Sequence, residues 1–150
     1  MRYLLVDRII ELQRGELIRG IKNVAMSEDF LEFHFPGNPI MPGVLLLEAL
    51  AQLAGWLEAA SSDFRNWTLI TKAHSAKFYG FALPGDRVEL EVRYSSVSES
   101  GLTGLKRYSG IGIVQGKKKI TAEFEGEIMP LSEIEDIDEQ KRFFEILTRE

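Results

Sequence analysis

The chain has 150 residues, room for one domain, and its 45% hydrophobic and 27% charged residues are the proportions of a soluble globular protein. No cysteine and only two histidines occur, which excludes disulfide frameworks, cysteine nucleophiles and thiolate metal sites and argues against a multi-histidine metal centre. The net charge of -5 is uneven: residues 131–150 hold seven acidic and three basic residues against 16 and 15 in residues 1–130, so neither part has the basic field that nucleic-acid binding needs.

In chain order, the start MRYLLVDRIIELQ does not read as a secretory leader, because Asp7 and Arg8 interrupt its apolar run; a cytoplasmic address is expected. Glu16–Met26 and Phe30–His34 are strand candidates. His34 to Gly43 then packs three prolines and two glycines into ten residues, a constrained turn. Val44–Ala60 is Ala- and Leu-rich, follows Pro42, and has only Glu48, Gln52 and Glu58 as polar residues. It is short for a membrane span of ~20 residues and reads as a buried core helix.

Trp67–Phe78 and Thr103–Val114 are further strand candidates. Val88–Tyr94 and Ile120–Ile128 alternate apolar and polar residues with period two, and Pro84-Gly85-Asp86 and Gln115-Gly116 mark turns. After Pro130, Ser132 with Glu135 forms a capping-box pattern, so a helix is expected to start there and dock Phe143, Phe144 and Leu147. The reading is α+β: five or six antiparallel strands wrapped on one long helix, as a domain over 1–130, with an acidic helical extension over 131–150.

A carboxylate inside an apolar helix is the anomaly of this sequence. Burying Glu48 alone is costly and would raise its pKa, so it needs either a partner or a task. Gln52 lies one turn further on the same face. A histidine and a carboxylate in an apolar pocket can move protons at neutral pH, and free N–H groups at the helix start can bind an oxyanion. Each residue alone also has a structural reading: His34 as a residue fixing the Pro-rich turn, and Glu48 as a carboxylate held by a structural partner. His74 stands in no motif and reads as structural or exposed.

The stretch FHFPGNPIMPGVLLLEALAQLAGW resembles the active-site segment of the 3-hydroxyacyl-acyl carrier protein dehydratases of the FabZ and FabA type. His34, Phe35-Pro36-Gly37, Pro39-Ile40-Met41-Pro42-Gly43-Val44, Glu48 and Ala49-Leu50-Ala51-Gln52 follow the family order and spacing. Tyr3–Arg8, Ile21–Val24, Ala76–Phe78 and Pro84–Asp86 match as well, and the likeness covers residues 3–128.

The resemblance implies a hotdog fold and a homodimer with two active sites at the subunit interface, many members forming trimers of dimers. Each site takes the histidine from one chain and the acidic residue from the other. It also implies dehydration of a (3R)-3-hydroxyacyl thioester on acyl carrier protein to a trans-2-enoyl thioester, without metal or redox cofactor. His34 is expected to take the C2 proton and Glu48 to protonate the leaving hydroxyl. Gly43 is expected to polarise the thioester carbonyl through its N–H, and Gln52 to orient Glu48.

Phe33, Phe35, Met41, Val44 and Trp56 are expected to line an acyl tunnel. Lys72, Lys77, Arg65 and Arg87 are expected to meet the acidic carrier. Phe33 replaces the usual glycine before the histidine, and Tyr79–Leu83 is more apolar than the family norm. The stretch His-Arg-Tyr-Pro before the first strand is absent or shortened, and the acidic tail is extra. Isomerising relatives usually carry aspartate at the position of Glu48, so dehydration alone is expected. The rival readings are an acyl thioesterase of the same fold and a non-catalytic acyl-binding hotdog subunit.

Overall fold

A computed structural model describes residues 4–97 and 104–149, without the side chains of residues 96 and 97. Tyr3 and Thr103, named above, lie outside the described residues. The strands are β1 (Arg8–Gln13), β2 (Leu17–Asn23), β3 (Asn66–Phe78), β4 (Arg87–Val97), β5 (Leu105–Val114) and β6 (Lys117–Pro130). The helices are α1 (Gly43–Ser61) and α2 (Ile137–Thr148), with short 3-10 turns at Asp29–Leu31 and Leu131–Glu133. All pairings are antiparallel in one sheet of order β1-β2-β4-β5-β6-β3, which leaves β1 and β3 at the edges.

Alternation puts one side of each strand toward α1. Ile18, Leu90, Val92, Ile120 and Phe124 are buried there against Leu46, Leu50, Leu53 and Leu57 of the helix. The helix could span a membrane by length and composition, but most of it is enclosed by this sheet, as expected of a core helix. Close approach needs a small residue at Gly55, where any Cβ would overlap the Trp67 indole.

The polar residue that is buried on α1 is Glu58, only 2% exposed, and not Glu48, which is exposed in the single chain. Glu58 accepts hydrogen bonds from Tyr94 Oη (2.6 Å) and Lys106 Nζ (2.9 Å), so its charge is compensated at the far end of the helix. Burial, and then the adjacent Glu58 carboxylate, push the Tyr94 phenol well above its ordinary range. Lys22, equally enclosed, holds Glu28 (2.6 Å) and Asp7 (3.5 Å), fixing the segment that leads into the Pro-Gly loop.

Three local expectations are corrected. Phe30–His34 is not a strand: it forms a 3-10 turn anchored by buried Leu31 and then an irregular segment with no sheet partner. β1 is an additional strand. Its register shifts between Ile9 and Glu11, which turns Ile10 outward and breaks the period-two signal.

The last helix begins at Ile137, not beside Ser132. Leu131 is buried and its N–H donates to Arg65 O, tying residues 131–133 into a turn. Asp136 then caps the helix by accepting from the Glu139 N–H (3.0 Å). The docking expected of this helix is present: Phe143 and Phe144 rest on Trp56, Phe144 also meets Phe64, and Leu147 is buried.

Candidate active site

The loop between the first 3-10 turn and α1 is closed by its own backbone. Phe35 and Asn38 exchange two N–H···O bonds, Ile40 N–H donates to His34 O, and Met41 N–H donates to Ala82 O. The His34–Phe35 peptide is cis, and the Phe35 ring stacks on the imidazole at 4.0 Å. His34 Nδ1 lies 2.9 Å from Ile40 O. A carbonyl oxygen can only accept, so Nδ1 carries the proton and Nε2 is left with a free lone pair.

That imidazole opens onto a cleft formed with Met41, Gly43, Val44, Phe78 and Phe81. Gly43 is the first residue of α1, where the N–H has no partner within the helix and the dipole favours negative charge. A side chain at position 43 would put Cβ 2.7 Å from the Phe78 ring, so glycine lets the end of β3 close over the helix start. The cleft therefore offers a nitrogen base and a backbone donor in apolar surroundings.

Glu48 lies on the same helix but outside this cleft, and it shares no hydrogen bond or ion pair with His34. Gln52 Nε2 donates to Glu48 Oε1 (3.1 Å), while Gln52 Oε1 accepts the Leu5 N–H (2.9 Å). The amide thus ties the carboxylate to the first described segment of the chain. One chain holds two separate groupings: His34 with Gly43 at the cleft, and Glu48 with Gln52 on the outer face of α1.

The expected tunnel residues separate. Met41 and Val44 line the His34 cleft; Phe35 stacks beside it; Phe33 is 78% exposed. Trp56 does not reach the cleft. It packs against Trp67, Phe143 and Phe144 and lines a second pocket beneath α2. Phe78, Tyr79 and Phe81 were not among the expected lining residues, although the apolar run Tyr79–Leu83 carried the signal: only Ala82 of that run enters the core, and Tyr79 and Phe81 stay exposed at the cleft.

The expected cationic residues are not gathered into one patch. Lys72 and Lys77 are exposed on edge strand β3, whereas Arg87 opens β4 and pairs with Glu89 (3.2 Å). Arg65 donates to Ser62 O in the turn after α1. Lys117, Lys118 and Lys119 open β6 beside the end of β5, with no carboxylate partner among the described residues, and the Lys119 side chain lies against Gly80 at the cleft rim. His74 pairs with Glu125 (3.5 Å). Among the described residues, no group of three or more acidic or histidine side chains is placed to hold a metal.

The family profile described as FabA-like domain matches residues 1–124. The chain belongs to the FabA-like family. It is 43% identical over 122 residues to the 3-hydroxyacyl-[acyl-carrier-protein] dehydratase FabZ of Thermoanaerobacter sp. strain X514, covering 81% of this chain and 83% of the relative. It is 44% identical over 128 residues to the enzyme of the same name from Geobacter metallireducens, covering 81% and 80%. Among solved structures, smu.793 from Streptococcus mutans UA159 bound to acetyl CoA superposes with a TM-score of 0.65 at 14% identity, covering 87% of this chain and 94% of that one. The fold is the hotdog, as the resemblance implied. The matched family region ends within β6, so α2 lies beyond it.

Proposed function

We propose that this protein dehydrates (3R)-3-hydroxyacyl thioesters on acyl carrier protein to trans-2-enoyl thioesters, in fatty acid or related lipid synthesis in the cytoplasm. The observation that carries this reading is the bond between His34 Nδ1 and Ile40 O. It leaves Nε2 free as a base in an apolar cleft shared with the first N–H of α1. Proton removal beside a carbonyl needs that pair: a base for C2, and a donor where charge builds on the thioester oxygen.

Nε2 of His34 takes the C2 proton, and the Gly43 N–H stabilises the developing enolate oxygen. Glu48, held by Gln52, delivers a proton to the C3 hydroxyl directly or through a water. The C3–O bond breaks, water leaves, and the electron pair closes the C2–C3 double bond. The proton gained by His34 and the one given by Glu48 balance, so no redox step is involved.

The two half-sites belong to two chains in this reading. His34 and Glu48 do not meet within one chain, and Glu48 is exposed at the helix surface. Edge strand β3 is long and largely exposed, and Val44 and Phe35 are exposed beside the cleft, surfaces that a second copy would cover. We therefore infer a homodimer in which each histidine works with the partner's glutamate. A trimer of such dimers is compatible with the exposed Phe33. Lys77 and Lys119, beside the cleft rim, are the cations best placed to meet an acidic carrier.

The test is enoyl-thioester absorbance with 3-hydroxybutyryl and longer carrier-bound substrates, wild type beside His34→Ala. Turnover by the wild type and its loss in the folded variant support dehydration. Release of free thiol without enoyl product would identify a thioesterase, and no chemistry on any chain length would leave an acyl-binding protein.

A further inference from the structure

Beneath α2 lies a pocket whose walls are Val6, Trp56, Trp67, Leu131 and Phe143, with Leu4 at its open side. We propose that this pocket receives the far end of the substrate's acyl chain, and that α2 sets the longest chain accepted. The proposal rests on the dehydratase reading given above.

The pocket is one side chain away from the proposed acid. Gln52 is part of its wall and donates to Glu48 Oε1 (3.1 Å). Glu48, Gln52 and Trp56 stand four residues apart along one stripe of α1, so the run from carboxylate to indole is about 12 Å at 1.5 Å per residue. A thioester whose C3 hydroxyl meets Glu48 can point its alkyl end along that stripe. The lining beyond Gln52 is mainly aliphatic and aromatic, the surroundings that an alkyl chain gains most from entering. The tail then lies in the chain that supplies the glutamate, not in the chain that supplies the histidine.

The floor lies outside the region matched by the family. Leu131, Ile134, Gln140 and Phe143 all follow the region matched by the family, which ends at residue 124. Phe143 is seated against the Trp56 ring (5.7 Å between centroids), and α2 is fixed at its end by Arg8, whose guanidinium donates to Arg149 O (2.8 Å). The helix is thus a wall held from both sides and not a loose tail.

The experiment measures kcat/KM for butyryl, octanoyl, dodecanoyl and hexadecanoyl 3-hydroxyacyl thioesters in the full chain and three variants. Leu4→Trp fills the pocket from its open side, Phe143→Ala deepens it, and Phe81→Ala widens the His34 cleft instead. Thermal melting establishes that each variant is folded. The ratio of long-chain to butyryl kcat/KM is expected to fall about 10-fold or more in Leu4→Trp, and the accepted length is expected to grow in Phe143→Ala. Butyryl turnover with an unchanged ratio in both variants overturns the proposal and leaves the dehydratase reading standing. A ratio that moves only in Phe81→Ala overturns it too, placing the tail beside His34. No turnover of any substrate by the wild type would overturn both readings.

Discussion

At the residue scale, the proposed chemistry rests on which imidazole nitrogen carries the proton. Ile40 O selects the Nδ1–H tautomer of the neutral His34 imidazole, which leaves the Nε2 lone pair available on a ring that borders the cleft. His34→Ala is expected to lower kcat about 100- to 10,000-fold, the usual worth of a positioned base, with little change in Tm because the imidazole is only half-buried. Steady-state kinetics beside thermal melting check this. A second residue-scale expectation concerns alkali. Burial and Glu58 raise the Tyr94 pKa above its unfolded value of 10.0. Above pH 10 the unfolded chain therefore loses the Tyr94 proton while the folded chain keeps it. The stabilisation is complete below pH 10 and declines as pH rises further. Tyr94→Phe is expected to cost about 1–2 kcal/mol near neutral pH, for the lost bond to a charged acceptor, and to flatten the decline above pH 10. Urea titrations at several pH values measure both effects.

At the element scale, α1 and α2 make separable demands. Gly55→Ala gains about 1 kcal/mol of helix propensity, yet its Cβ would overlap the Trp67 ring. Overpacking of that kind costs about 1–3 kcal/mol, and more where the indole cannot move, so net destabilisation is expected in denaturant melts. Asp136→Ala removes the cap of α2 and is expected to cost about 1 kcal/mol, a fall of roughly 2–4 °C in Tm for a chain of this size. The elements also show what patterning can carry. The strands β4 and β6 and the core helix were legible because alternation and an Ala/Leu run report burial directly. β1 was not, because its bulge at Ile10 breaks the period. The start of α2 was misplaced because two capping patterns, Ser132 with Glu135 and Asp136 with Glu139, lie four residues apart, and the burial of Leu131 decides between them.

At the scale of the whole molecule, the motif order from His34 to Gln52 pointed to a family, which sequence and fold comparison then bore out. What no pattern could say is that Glu48 faces outward while Glu58 is enclosed, since both stand on an apolar helix and only the sheet's extent distinguishes them. Nor could spacing place Phe78 and Phe81 at the cleft, because that depends on how the end of β3 meets the start of α1. The separation of His34 from Glu48 leads to the most direct test. His34→Ala and Glu48→Gln chains are each expected to be inactive alone. Unfolded together in equal amounts and refolded, half of the resulting dimers pair one chain of each kind, and each such dimer has one site with both native side chains. About a quarter of wild-type dehydratase activity is expected to return. Mixed dimers that form, as shown by co-purification of differently tagged chains, yet remain inactive would contradict a site shared between two chains.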